Sequence, residues 1–153
     1  MNSFKKYWRI VLPITIALII WLFSAASGDL SHQQSQGIAS FLGWPHGLTR
    51  KIAHFVLYLA FGASLAYYSQ GRHRLTYPRY ESLLFNLVAV AIYGAIDEVH
   101  QLLVAGRNGA VSDVVLDTVA GLCGILIYIA FYCLVWPKLR LWLHARYHHK
   151  KNH

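Results

Sequence analysis

Hydrophobic residues gather into four long blocks, Ile10–Ser27, Ile52–Tyr68, Leu83–Leu103 and Val114–Trp136. An α-helix crosses a hydrocarbon layer ~30 Å thick with about 17–25 mainly apolar residues, so each block predicts a transmembrane helix. The connections are too short to hold a soluble domain. The pattern therefore predicts an all-α integral membrane protein: a four-helix transmembrane bundle forming one membrane domain over residues 1–153. The first block has a second reading. Lys5, Lys6 and Arg9 followed by an apolar run and Ala25-Ala26-Ser27 have the order of a cleavable signal peptide. The run is long for a signal core, and a retained helix is expected.

Polar residues inside these blocks carry the functional information. Asp97 and Glu98 interrupt the third block, while His54 and Asp117 stand just inside the second and fourth. A charge at the centre of a membrane helix costs roughly 2.5–3.5 kcal/mol on insertion scales, so such residues face protein interiors and mark function. Positions three and four apart share a helix face. Asn86, Val90, Tyr93, Gly94, Asp97 and Gln101 form one stripe, with Glu98 about 100° away. Asp113, Asp117, Ala120, Gly124 and Phe131 form another, with Gly121 beside it. Lys51, Tyr58 and Gly62 align on the second block, with His54 about 60° off. Small residues let membrane helices approach closely, so these stripes should face one another. Depth agrees. Asp97 lies about 9 Å below the end of its block at 1.5 Å per residue, and His54 and Asp117 are comparably shallow.

Charge fixes an expected orientation. The chain carries 14 Lys and Arg against 6 Asp and Glu, a formal net charge of +8. The basic residues cluster at Lys5, Lys6 and Arg9, at Arg72, Arg74 and Arg79, and at Lys138, Arg140, Arg146, Lys150 and Lys151. Short cytoplasmic loops collect Lys and Arg. Both termini and the 69–81 loop are thus expected in the cytoplasm, with loops 28–51 and 104–113 outside. This distribution speaks for membrane orientation and against nucleic acid as a partner. In the first outer loop, Ile38 to Leu42 with Trp44 could lie flat at the interface. In the second, Ala105-Gly106-Arg107-Asn108-Gly109 predicts a tight turn, followed by a helix cap at Ser112 or Asp113. Cys123 and Cys133 stand about 15 Å apart on one helix, too far to bond.

The expected outer pole gathers Arg50, Lys51 and Arg107 with Asp97, Glu98, Asp113 and Asp117, about one net negative charge. Such a balance is no simple anion trap. A salt-bridged lock would join Arg107 or Lys51 to Asp97 and Asp113. A histidine beside carboxylates could instead act as a general base, and the same groups could hold a divalent cation. Spacing alone leaves these readings open, and assigns no metal ligands. Tyr58 and Gln101 read as hydrogen-bond partners.

In order, Lys51-x-x-His54-x-x-x-Tyr58, Asp97-Glu98-x-x-Gln101, Gly106-Arg107, Asp113 and Asp117-x-x-x-Gly121-x-x-Gly124 resemble the VanZ-like membrane family, most strongly over residues 50–127. The chain departs from that family's pattern at Asp117, where Asn is common, and at Ala105, where Pro often precedes Gly-Arg. The resemblance implies a multi-pass protein of a bacterial inner or plasma membrane. It also implies a link to the cell envelope, since the founding member is tied to resistance to the glycopeptide teicoplanin; it supplies no reaction. The leading expectation is an outward-facing intramembrane polar site that binds or modifies a lipid-linked envelope component. Arg50, Lys51, Tyr58, Gln101, Arg107, Asp113 and Asp117 would bind, while His54, Asp97 and Glu98 would handle protons or a cation. Whether the protein is an enzyme stays open. The Ser-Gly-His segment of lipid phosphatases, a serine elbow and a His-Glu-x-x-His motif are all absent from the sequence. One alternative is a non-enzymatic accessory or scaffold protein whose polar network is a lock. Another is a transporter or ion pathway, which with four spans would require an oligomer.

Overall fold

A computed structural model describes residues 3–26, 41, 43, 46–73, 80–107, 109–139 and 141–142. They form four long helices: α1 (Ser3–Ala25), α2 (His46–His73), α3 (Tyr80–Leu102) and α4 (Val111–Ala130). A wide π-helical turn, Phe131–Val135, extends α4, and helix resumes over 136–139. The described residues contain no strand. Each helix is long and apolar enough to cross a membrane, within Trp8–Ala25, Leu48–Gln70, Glu81–Leu102 and Val111–Leu139. The interface-lying stretch expected at residues 38–44 and the basic tail fall almost wholly outside the described residues.

Burial runs opposite to that of a soluble domain. Ser24, Asn86, Asp97, Glu98, Gln101, Arg107 and Asp117 are buried, whereas Leu18, Leu22, Phe85, Ile92, Val99, Val115 and Leu126 are exposed. Water would penalise that arrangement on both counts; hydrocarbon around the outer faces reverses the penalty. The apolar part of the interior is small: Ile20, Tyr58, Phe61, Val90 and Ala120, with Tyr93 packed at its side.

Contact is closest between α2 and α4, and α1 packs on α2 and α3 without reaching α4. Glycine permits the close contact. A methyl group at Gly62 would run into the Gly121 carbonyl, and one at Gly124 into the Leu59 carbonyl. Near Ser69 the bundle has one polar end. Asn86 Nδ2 donates to Ser69 Oγ at 2.9 Å, and Arg9 lies over the Tyr67 ring at 4.7 Å. Tyr67 meets Tyr128 edge-on, and Tyr128 stacks on Tyr132. The ends of α1 and α3 and the starts of α2 and α4 form the opposite pole.

Two expectations are corrected. Phe131 is 46% exposed rather than inward. The inward stripe of α4 runs through 117, 121 and 124, and beyond it Tyr128 and Tyr132 rather than Phe131 continue the packing, Tyr128 against Tyr67 and Tyr132 against Tyr128. The cap of α4 is Ala110, without a side-chain cap bond, rather than Ser112 or Asp113. Asp113 turns instead toward Lys51, and Ser112 Oγ donates to Asp113 Oδ1 at 3.4 Å. The expected turn is present, with Gly106 at φ +74°, a conformation that glycine takes without strain.

Candidate functional site

The pole opposite Arg9 concentrates the ionisable groups. Its centre takes one side chain from each of three helices: His54 of α2, Asp97 of α3 and Asp117 of α4. His54 Nδ1 lies 3.6 Å from Asp117 Oδ2 and 3.9 Å from Asp97 Oδ2. Both carboxylates are sealed from solvent, at 0% and 1% exposure. The depth argument from sequence is thus met in space, since one ligand atom from each of the three lies within 4.8 Å of the others.

Asp97 is held in place. Ser24 Oγ donates to its Oδ2 at 2.9 Å and Gln101 Nε2 donates to the same oxygen at 3.0 Å. Gln101 also reaches Ser24 Oγ at 3.4 Å. The stripe spacing of Asp97 and Gln101 makes their bond a one-turn contact, whereas Ser24 arrives from α1. Sequence reading missed Ser24. It is a small polar residue beside Ala25 and Ala26, in a stretch that also reads as a cleavage segment, and no sequence signal set it apart. Other atoms lack such support. Asp97 Oδ1, both oxygens of Asp117 and Tyr58 Oη are buried with no hydrogen-bond partner. Buried polar groups are normally bonded, so this cluster is chemically unfinished.

The rest of the constellation occupies three settings. Glu98 Oε2 accepts from the Ala110 backbone N–H at 2.8 Å, so it holds the start of α4 from α3, as a capping-box carboxylate does within one helix. Lys51 Nζ and Asp113 Oδ1 pair at 3.3 Å, half in the open. Arg107 Nη2 donates to the Phe23 carbonyl at 3.3 Å, fastening the turn between α3 and α4 to the end of α1. Burial, chiefly, and the neighbouring Arg50 pull the Arg107 guanidinium below its usual value, while Asp97 and Glu98 oppose that pull. It stays protonated, as Arg does in proteins.

A recess enclosing about 240 Å³ of atom-free space opens beside this cluster, lined by Arg50, Lys51, His54, Glu98, Gln101, Asp113, Leu116 and Asp117. Tyr58, Asp97 and Arg107 lie outside its lining, although the sequence grouped them with it. That space includes open solvent, and its enclosed part has room for about one water-sized sphere, far less than the roughly 300–1,000 Å³ of pockets that enclose drug-sized ligands. It suits an ion or one polar group of a larger molecule.

The Lys51–Asp113 pair is a poor candidate for a lock. An ion pair this exposed contributes about 0–1 kcal/mol. Lys51→Met should therefore shift stability by less than ~1 kcal/mol in a detergent unfolding titration; a larger loss would make the pair structural.

No curated protein and no solved structure matches the chain. The family comparison does match, over residues 9–132, spanning all four helices and every residue of the polar cluster. A multi-pass helical membrane domain with this cluster at one pole belongs to the VanZ/LLP1 family.

Proposed function

We propose that the protein lies in a bacterial plasma or inner membrane with both termini in the cytoplasm. Its recess then opens outward and binds the charged head group of a lipid-linked envelope component. One observation carries this reading: a polar recess among three membrane helices, with Arg50 and Lys51 among its lining residues and buried acids behind them. Cations there could engage a phosphate, and the amino end of α4 adds a favourable dipole. Orientation rests on the Lys and Arg clusters at both ends and in the 69–81 loop. The limited recess volume favours a ligand that leaves its apolar tail among the surrounding lipid. If the bound group is also modified, His54 beside Asp97 and Asp117 is the candidate proton carrier, and transfer or hydrolysis at a phosphate or acyl group is the natural reaction class. Altered teicoplanin susceptibility would follow from occupancy of an envelope precursor.

The accessory reading has its own support, since Asp97 ties α3 to α1 and Glu98 ties α3 to the start of α4. Native mass spectrometry of nanodisc protein with an added polyprenyl phosphate separates the two. Joint Arg50→Ala and Lys51→Ala replacement should cut bound lipid at least tenfold while the helices stay folded. Unchanged occupancy would sink the head-group reading. Labelling Ala105→Cys from outside, in a Cys123→Ser and Cys133→Ser background, tests the orientation; protection there would reverse it.

A further inference from the structure

We infer that His54, Asp97 and Asp117 form a binding site for one divalent first-row metal ion, Zn²⁺ or Mn²⁺, bridging α2, α3 and α4. The inference goes beyond lipid binding and does not depend on it.

Distance comes first. His54 Nδ1 stands 3.6 and 3.9 Å from the two nearest carboxylate oxygens. That is beyond the roughly 2.7–3.2 Å of an N–H···O hydrogen bond. Two ligands on one ion, each bonded at about 2.0–2.2 Å, stand roughly 3.0–4.2 Å apart according to the angle between them. The two nitrogen-to-oxygen separations thus match those of ligands on a common ion. The ligand atoms of all three lie within 4.8 Å of one another, so the two carboxylates would close on the ion by about half an ångström.

Unsatisfied atoms come second and independently. Asp117 is 1% exposed and its oxygens meet no donor within hydrogen-bond distance, His54 Nδ1 standing off at 3.6 Å; Oδ1 of Asp97 has no partner either. Two carboxylates facing each other out of solvent are held together by a positive charge or by a proton. Of the nearby cations, Lys51 pairs with Asp113 at 3.3 Å, and Arg107, which acts on Asp97, is anchored to the Phe23 carbonyl and lies outside the His54–Asp97–Asp117 group. A dication neutralises two carboxylates and leaves imidazole neutral, the form in which it ligates metals.

Orientation is the third element. Ser24 and Gln101 both donate to Asp97 Oδ2, which turns that carboxylate and fixes it as outer partners do for metal ligands. The donor set then narrows the ion. One imidazole nitrogen disfavours the all-oxygen preference of Ca²⁺ and Mg²⁺, and the lack of thiolate disfavours Cu⁺; a mixed nitrogen and carboxylate set suits Zn²⁺ and Mn²⁺. Three protein ligands leave a coordination position vacant, as in catalytic rather than structural zinc sites. His54 and Asp117 also line the recess, so that position can meet a phosphate or carboxylate oxygen entering there.

The test uses full-length protein in nanodiscs, stripped with a chelator and re-equilibrated with Zn²⁺ or with Mn²⁺ alone. Elemental analysis should find one ion per chain, and bound Mn²⁺ should lose its aqueous electron-spin spectrum. Asp117→Asn and His54→Gln should each lower the metal content at least tenfold, whereas Asp113→Asn should retain it. Less than a tenth of an ion on the wild-type protein, or equal content in the Asp117→Asn variant, would overturn the site. Should the variants fail to fold, ¹⁵N spectra of the wild-type His54 ring decide. A metal-bound Nδ1 supports the site, and protons on both nitrogens in the presence of either ion reject it.

Discussion

Gly124→Ala should remove most of the folded protein from the membrane. A Cβ at this position would collide with the Leu59 carbonyl oxygen and lie 2.8 Å from its carbon and 3.0 Å from the Ala63 nitrogen. These obstacles are backbone, so no side chain can rotate out of the way. Relief requires α2 and α4 to separate, which forfeits packing along the tightest interface in the bundle. Overpacking of this kind costs about 1–3 kcal/mol and occasionally more, and a backbone obstacle places Gly124 at the upper end. Gly62→Ala should behave alike, since its Cβ would collide with the Gly121 carbonyl. Gly94→Ala is the control. There the nearest atoms are 3.7–3.8 Å away, an ordinary contact, so the methyl should cost nothing and raise stability by up to about 1 kcal/mol. Thermal unfolding of detergent-solubilised variants measures all three. Equal melting of Gly124→Ala and Gly94→Ala would show that the helices are not this close. Separation would also draw His54 on α2 away from Asp117 on α4, so the Gly124 variant should lose its site along with its fold.

The bundle was largely legible because a membrane simplifies folding to a few constraints. Length and hydropathy locate the spans, and helical periodicity then assigns Asn86, Val90, Gly94, Asp97 and Gln101 to one buried face, as observed. Helix ends were less legible. The second helix begins at His46 rather than near residue 52, because Thr49, Arg50 and Lys51 interrupt the hydropathy while the backbone bonding continues through them. Phe131 was misplaced because beyond Gly124 the packed positions are Tyr128 and Tyr132, and nothing in the apolar run distinguishes them from Phe131.

Within the site, the meeting of His54, Asp97 and Asp117 followed from their shared depth. What could not be read was the division of labour. Periodicity set Glu98 about 100° from Asp97, but not that its carboxylate would bond the residue that caps the next helix. Ser24 was invisible because its partners, Asp97 and Gln101, lie more than seventy positions along the chain. Arg107 looked like a ligand for anions or carboxylates, yet it also holds the α1 terminus through Phe23. Sequence patterns describe faces and depths; contacts between distant helices need coordinates.

His54→Ala should be the most disruptive single change within the site, and a second substitution should undo much of the harm. The histidine is the basic group closest to two carboxylates that are out of solvent. Its removal leaves Asp97 and Asp117 opposed, with the site's only nitrogen ligand gone, and stranding buried polar oxygens without a partner costs about 1–3 kcal/mol, more for charged groups. Asp117→Asn in the wild-type chain should also destabilise, because it leaves the imidazole and Asp97 without their shared partner. In the His54→Ala chain the same Asp117→Asn change removes the repulsion between the acids, and stability should rise. The effect of one substitution thus reverses sign with the identity of residue 54, which a double-mutant cycle reads directly as coupling. Unfolding titrations of the four proteins in matched detergent give the measurement. Additive losses would mean that the three side chains do not share one electrostatic site, since no independent roles for His54 and Asp117 can make a destabilising change stabilising.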